Sequence, residues 1–236
     1  MSFQAVVLAG GKGTRLLPLT HVLPKPLLPI DERPILDVVL SLLARDGCTK
    51  ATIAVGHLGH LIEIYCGSGE RWSMEIEYFR ENTPYGTVGA LAHIERPADP
   101  FIVMNGDVLS DLSFTELLAS HRDGGGELTI ASFRRRVRDE LGILETDAGN
   151  RLRAYHEKPE HEYLVSMGIY VFEPSAVELI PADGRMDFPE LVQALLDAGR
   201  PVSTHPHDGY WLDLGRHDDF DRANQEFATI RPKLGI

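Results

Sequence analysis

Two cysteines, Cys48 and Cys66, are all that this chain contains, and no CxxC spacing accompanies them. That excludes a disulfide framework and argues against thiolate zinc sites and thioredoxin chemistry. No apolar run approaches the ~20 residues a membrane span needs, and the N-terminus lacks a basic stretch followed by a cleavable apolar core. The expectation is a cytoplasmic protein with no membrane partner. Excess positive charge is missing too: 35 acidic residues against 23 basic ones give −12, which disfavours nucleic acid as a partner. Ordinary apolar and charged fractions, 43% and 25%, rule out a disordered or fibrous chain. No repeat, low-complexity tract or long linker divides the 236 residues, so a single domain over 1–236 is expected.

The most informative absence is local. The first thirty residues contain no aspartate or glutamate, but they do contain Lys12, Arg15 and Lys25. The rest of the chain therefore carries −15. A positive island on an acidic protein points to an anion site.

Phe3–Leu8 reads as a buried strand running into Gly10-Gly11. Pro34 precedes a helical pattern over Ile35–Ala44, and Ala51–Val55 is a second buried strand. Further expectations are a helix over His57–Tyr65, a strand over Met74–Phe79, a short helix over Gly89–Glu95, and a strand over Phe101–Asn105 that enters Gly106-Asp107. This alternation implies a mostly parallel sheet with helices on both faces. Beyond about Gly124, strand-like segments dominate: Glu127–Phe133, Gly142–Glu145, Leu152–Glu157 and Val165–Phe172. They suggest antiparallel pairing or a mixed extension of the sheet. An amphipathic helix over Asp187–Ala198, short strands at Val202–Pro206 and Tyr210–Leu212, and a helix over His217–Ala228 follow.

The segment Leu8–Arg15, LAGGKGTR, places Gly10, Gly11 and Gly13 after a buried strand. Such a loop lets backbone N–H groups converge on a bulky anion. Neither the dinucleotide fingerprint GxGxxG nor the P-loop GxxxxGK[ST] is present, so a dinucleotide-dependent dehydrogenase is excluded. A glycine-rich turn with incidental charges remains the plain alternative. It weakens when Leu23–Pro29, LPKPLLP, is added, because three prolines would hold Lys25 in a stiff, extended segment. His57 with His60, and His205 with His207, lack a third ligand and are not read as metal sites.

LAGGKGTRLLPLT followed by LPKPLLPI resembles the signature of the sugar-1-phosphate nucleotidylyltransferases. Later segments match in the same order: Gly86–Leu91 (GTVGAL), Asn105–Val108 (NGDV), Glu157–Pro159 (EKP), Gly168–Phe172 (GIYVF) and Trp211–Gly215 (WLDLG). The resemblance implies a Rossmann-like α/β nucleotidyltransferase fold, a nucleotide-binding half over 1–123 and a sugar-phosphate-binding half over 124–236. The chain stops soon after the helix that follows WLDLG, so no C-terminal β-helix is expected. The implied reaction is attack of a sugar-1-phosphate oxygen on the α-phosphorus of a nucleoside triphosphate, with release of pyrophosphate. Its nucleophile is already an anion, so catalysis is charge neutralisation and in-line positioning.

By this resemblance Leu8, Gly10, Gly11, Gly13, Thr14, Glu81, Gly86 and Asp107 contact the nucleotide, and Arg15 and Lys25 are catalytic cations. Asp107 and Asp213 would hold Mg2+, since two carboxylates, phosphate oxygens and water suit a hard cation. Gly142, Glu157, Lys158 and Gly168 would bind the sugar phosphate. Lys12 stays open between a solvated loop lysine and a phosphate contact. Neighbours on a strand point to opposite faces, so Glu157 and Lys158 can share one ligand only at a strand end or bulge. Without the resemblance they would read as an exposed ion pair. Asp111, Asp218, Asp219 and Asp221 are left as surface or helix-start acids. A homo-oligomer is compatible with these expectations.

Glu81 falls where a base edge is expected. A carboxylate there can accept from guanine N1–H and N2–H2 together, whereas uracil and thymine offer one N3–H flanked by two carbonyls. GTP with mannose- or heptose-1-phosphate is therefore favoured. Uridylyl or thymidylyl transfer to another hexose 1-phosphate is the alternative within the class, and a catalytically inactive nucleotide-sugar-binding subunit the alternative outside it. Tyr85 and Leu141 depart from the residues frequent at their positions in that family.

Overall fold

The computed structural model describes residues 2–182 and 185–236. In chain order the strands are β1 (Phe3–Ala9), β2 (Pro29–Ile30), β3 (Arg33–Pro34), β4 (Cys48–Val55), β5 (Glu75–Arg80), β6 (Phe101–Asn105) and β7 (Val108–Ser110). They continue as β8 (Leu128–Arg138), β9 (Ile143–Thr146), β10 (Leu152–His156), β11 (Glu160–Phe172), β12 (Val202–His207) and β13 (Trp211–Asp213). The helices are α1 (Ile35–Arg45), α2 (Gly59–Cys66), α3 (Phe114–Gly124), α4 (Phe188–Asp197) and α5 (His217–Leu234).

A seven-stranded sheet in the order β12-β8-β11-β6-β1-β4-β5 organises the molecule. All its neighbours pair in parallel except at β11, which runs antiparallel to both β6 and β8. The apolar run of β1 is explained by burial on both faces. Ala5, Val7 and Ala9 enter one core with α1, α3 and α5, whereas Val6 and Leu8 enter a second core with Val88, Leu91 and α4. β6 divides likewise: Ile102 and Met104 face the first core, and Phe101 and Val103 the second. Helices thus cover both faces of a mostly parallel mixed sheet, and among the described residues there is no β-helix. No helix among them is long and apolar enough to cross a membrane.

Several elements differ from the sequence reading. The pattern at Gly89–Glu95 yields only a 3-10 turn over Gly89–Ala92, and α2 begins at Gly59 rather than His57. The expected end of the last helix at Ala228 falls six residues short, because Phe227, Ile230 and Leu234 keep the buried helical spacing up to Leu234. α3 has no counterpart in that reading. Its signal is present in Ser113-x-x-Glu116, where the serine hydroxyl accepts the Glu116 N–H at 3.3 Å. β8 and β11 also run well past the segments expected of them. Their outer halves, Phe133–Arg138 and Glu160–Val165, pair with each other outside the core and form an arm with the β9–β10 hairpin.

Candidate active site

The carboxyl ends of β1, β4 and β6 open into a cleft of about 940 Å3, the place where open α/β sheets put their ligands. Every residue assigned to the nucleotide lines it: Leu8, Gly10, Gly11, Gly13, Thr14, Glu81, Gly86 and Asp107, together with Arg15 and Lys25. Lys12, left open from the sequence, lines it as well. The glycine loop is tied down from behind. Gly13 has φ +61, and a Cβ there would lie 2.8 Å from Thr20 Cγ2 and 3.1 Å from Lys25 Cβ. The Thr20 hydroxyl donates to the Gly13 carbonyl at 2.9 Å. The loop therefore packs directly on the segment that bears Lys25.

Lys25 itself is not in extended backbone as its flanking prolines suggest. Pro24 is extended, but Lys25–Leu27 form one 3-10 turn, closed by the Leu28 N–H on the Lys25 carbonyl at 3.0 Å. The turn directs the ammonium onto Asp107, and Lys25 Nζ pairs with Asp107 Oδ2. Asp107 sits between β6 and β7, and its carbonyl accepts the Leu214 N–H at 3.1 Å. β7 pairs antiparallel with β13, which sets Asp213 opposite Val108. Asp213 is not on the cleft lining, but it senses the same charges. Its carboxyl is pushed up, first by burial and then by Asp107, while Lys25 and Arg15 oppose the rise.

This donor set fits a hard divalent cation in part. Two carboxylates are close enough to repel, and among the described residues Asp213 has no ion-pair partner. Among the described residues no group of three or more His, Cys, Asp or Glu residues could hold a metal unaided. An ion between Asp107 and Asp213 would need phosphate oxygens and water to complete its shell.

Glu81 follows β5, and its N–H donates to the Val55 carbonyl at 2.8 Å. Its carboxylate lies against Gly10, where a Cβ would stand 2.7 Å from Oε1. Among the described residues it has no hydrogen-bond or ion-pair partner, and burial pushes its carboxyl up.

The residues expected to bind the sugar phosphate lie apart from the cleft lining. Gly142 and Glu157 meet on the β9–β10 hairpin: the Tyr155 hydroxyl donates to Glu157 Oε2 at 2.9 Å, and a Cβ on Gly142 would strike that hydroxyl. β10 ends at His156, and Lys158 follows with φ +46, in the left-handed region. The strand end that lets neighbours share a ligand is therefore present. Gly168 stands in a bulge of β11 between Ser166 and Tyr170, packed against the Asn105 amide. It touches the strand leading to Asp107 rather than the hairpin.

Some cleft residues have no role assigned from the sequence, although Thr87 and Asn105 lie within its GTVGAL and NGDV motifs. His57, Asn105 and Thr87 line the cleft, and so does Asp187, which reaches it from the start of α4.

A nucleotidyl transferase family model matches residues 4–229. The chain is 34% identical over 242 residues to a UTP–glucose-1-phosphate uridylyltransferase of Synechocystis sp., covering 93% of this chain and 62% of that protein. It is also 34% identical over 231 residues to a mannose-1-phosphate guanylyltransferase of Mycobacterium tuberculosis, covering 95% and 64%. The chain thus spans a little under two thirds of these relatives. The crystal structure of HddC from Yersinia pseudotuberculosis complexed with GMP-PN superposes with a TM-score of 0.73 at 26% identity, covering 95% of this chain and 99% of that one. With its strand order, its glycine loop and the match over residues 4–229, the chain belongs to the nucleotidyl transferase family.

Proposed function

We propose that the protein transfers a nucleotidyl group from GTP to mannose- or heptose-1-phosphate, giving a nucleotide sugar and pyrophosphate. The observation that carries the reaction class is the meeting of the glycine loop, Arg15 and the Lys25–Asp107 pair in one cleft, with Asp213 in electrostatic contact. A sugar-phosphate oxygen forms a bond to the α-phosphorus, and the bond to the bridging oxygen of the β-phosphate breaks. No proton must be removed from the nucleophile, so the protein's task is to offset charge and hold the line of attack.

Backbone N–H groups of Gly10, Gly11 and Gly13 cradle the triphosphate, and Arg15 offsets the charge that leaves with pyrophosphate. Lys25 neutralises the α-phosphate. Without substrate its ammonium rests on Asp107, and the arriving phosphate competes for it and frees that carboxylate. Asp107 and Asp213 would hold Mg2+, and such an ion, when bound, supplies further neutralisation of phosphate charge. Glu157 takes sugar hydroxyls and Lys158 the sugar's phosphate. The triphosphate requirement fits a cytoplasmic reaction.

Guanine is supported by Glu81. An unpaired carboxylate in a crowded wall is costly until donors reach it, and guanine brings N1–H and N2–H2 together. The guanylyltransferase of Mycobacterium tuberculosis and the guanine-nucleotide complex of HddC support the same base, while the uridylyltransferase of Synechocystis sp. supports the other. The test is pyrophosphate release with four triphosphates against mannose-, heptose- and glucose-1-phosphate. The expected result is turnover with GTP, and loss of base preference in Glu81→Gln. Turnover confined to UTP or dTTP would overturn the base assignment. Absence of any turnover that Asp107→Asn abolishes would favour an inactive binding subunit.

A further inference from the structure

The wall of the cleft that carries Gly86 and Thr87 is not held by its own strand. It is stitched to residues 186–188, a hundred positions away, at the start of α4. The Met186 N–H donates to the Tyr85 carbonyl at 2.9 Å, and the Val88 N–H donates to the Met186 carbonyl at 3.2 Å. The Thr87 N–H donates to Asp187 Oδ1 at 3.0 Å and its hydroxyl to the same oxygen at 3.4 Å. That hydroxyl in turn accepts the Phe188 N–H at 2.7 Å. Gly86, at φ +80, lies so close that a Cβ would stand 2.5 Å from the Met186 carbonyl and 2.8 Å from Asp187 Oδ1.

Asp187 is central to this stitch. Its second oxygen accepts from Arg185 at 3.0 Å, and its N–H is taken by Glu190 Oε2 at 2.6 Å, which closes the first turn of α4. α4 is itself anchored: Leu191 and Leu195 are fully buried in the second core, and Phe188 stacks on Tyr170 with ring centroids 3.9 Å apart. The Thr87 N–H is also the first cause holding the Asp187 carboxyl below its ordinary value, with Arg185 adding to it.

We propose that Asp187 is a positioning residue for the nucleotide: its carboxylate fixes Thr87, and so fixes the 85–88 wall at the spacing from the glycine loop that a nucleoside requires. This rests on the reading of the cleft as the nucleotide site. The contact couples nucleotide affinity to α4, an element that comes from the other half of the chain. Loss of the carboxylate frees the Thr87 amide and lets the wall relax. The chemistry at Arg15, Lys25 and Asp107 stays in place, because those groups stand on the loop after β1, the Lys25–Leu27 turn and the connection between β6 and β7.

The experiment compares wild type with Asp187→Ser, Asp187→Ala and Asp187→Asn in the full chain. Serine keeps a good helix N-cap but is too short to reach the Thr87 amide, whereas asparagine keeps an acceptor oxygen at the same reach. Titration of magnesium-free GTP, followed by calorimetry, should show about tenfold weaker binding in the serine and alanine variants. The asparagine variant should recover to within about threefold of wild type. In turnover, the nucleotide KM should rise by a similar factor while kcat changes by less than about threefold and the KM for sugar phosphate holds. Hydrogen exchange at the Thr87 amide should accelerate in the serine variant. Wild-type affinity in the serine variant, or an asparagine variant as impaired as alanine, would overturn the proposal. Failure of wild type to bind GTP, UTP or dTTP at all would instead overturn the reading of the cleft.

Discussion

The two ends of strands β8 and β11 belong to different physical worlds. At one end Leu128, Ala131, Val171 and Phe172 are fully enclosed between two helical layers. At the other the same strands form the arm, where Leu144, Leu152 and Tyr155 are 58%, 59% and 59% exposed and Arg134 and Arg136 converge on Glu162. The residues proposed for the nucleotide stand on loops pinned to the packed region, and Gly142, Glu157 and Lys158, proposed for the acceptor, stand on the arm. A triphosphate needs several backbone N–H groups at fixed spacing, which only a packed scaffold holds. On the proposed reading a sugar phosphate leaves as part of a larger product, which a thin arm permits.

Substitutions in the packed cleft should cost the most. Lys25→Ala removes a cation aimed at the reacting phosphates and Asp107→Asn a carboxylate proposed to hold Mg2+, and a drop in kcat of about 100- to 1,000-fold is expected for each, the range seen when one preorganised electrostatic group is lost. Thermal unfolding should shift little, since both side chains border solvent. Retention of more than a tenth of wild-type kcat in either variant would break the assignment. On the arm, Glu157→Ala and Lys158→Ala should raise the KM for sugar phosphate by about 10- to 100-fold, the scale of one or two charge-assisted hydrogen bonds. Nucleotide affinity should hold. A loss of GTP binding equal to the loss of sugar-phosphate binding would erase the distinction between the two regions.

Stability should divide along the same line. Phe101→Ala removes an enclosed ring beside Phe172 and should cost about 3–5 kcal/mol in a denaturant titration. Leu152→Ala on the arm should stay within about 0.5 kcal/mol. Equal costs would mean that the arm is covered in solution, for instance by a second copy of the chain.

The packed region was the more legible in sequence, and for a reason. Strands buried on both faces, such as Phe3–Ala9 and Phe101–Asn105, print a continuous apolar run bounded by glycine, and the loop after the first carries glycines and cations that suit an anion. Exposed strand prints less: Arg134–Arg138 and Glu160–Leu164 fall outside the strands expected, because neither face is buried, although the exposed β9 and β10 overlap segments expected as strand. Lys25 shows the limit of local inference, since its prolines fix φ without deciding whether the lysine between them turns. Asp187 shows the limit of motif reading. Its partner Thr87 lies a hundred residues upstream, and only the fold brings them together. α3 was legible through Ser113 and Glu116, but its low apolar content hid its period.

The smallest predicted effect concerns the foot of the arm strands. His121 of α3 is fully enclosed, with Nδ1 2.8 Å from the hydroxyl of Thr129 on β8 and Nε2 3.2 Å from the carboxylate of Glu173 just after β11. The carboxylate can only accept, so Nε2 carries the proton and Nδ1 accepts from the threonine: one neutral tautomer clamps both strands. Burial holds the imidazole below its ordinary pKa; Glu173 and Glu127 oppose this and Arg122 reinforces it. The unfolded chain therefore binds a proton near pH 6.5 that the folded one refuses. Stability from this site is complete above that pH and is lost as pH falls from about 6.5 toward the lower folded value. Denaturant titrations at pH 7.5 and 5.5 should show a smaller loss of stability on acidification in His121→Asn than in wild type, whatever the absolute cost of the substitution. Parallel pH dependence in the two proteins would mean that burial does not lower the His121 pKa, and a larger loss in His121→Asn than in wild type would mean that the clamp is an ion pair with Glu173 rather than a neutral bridge.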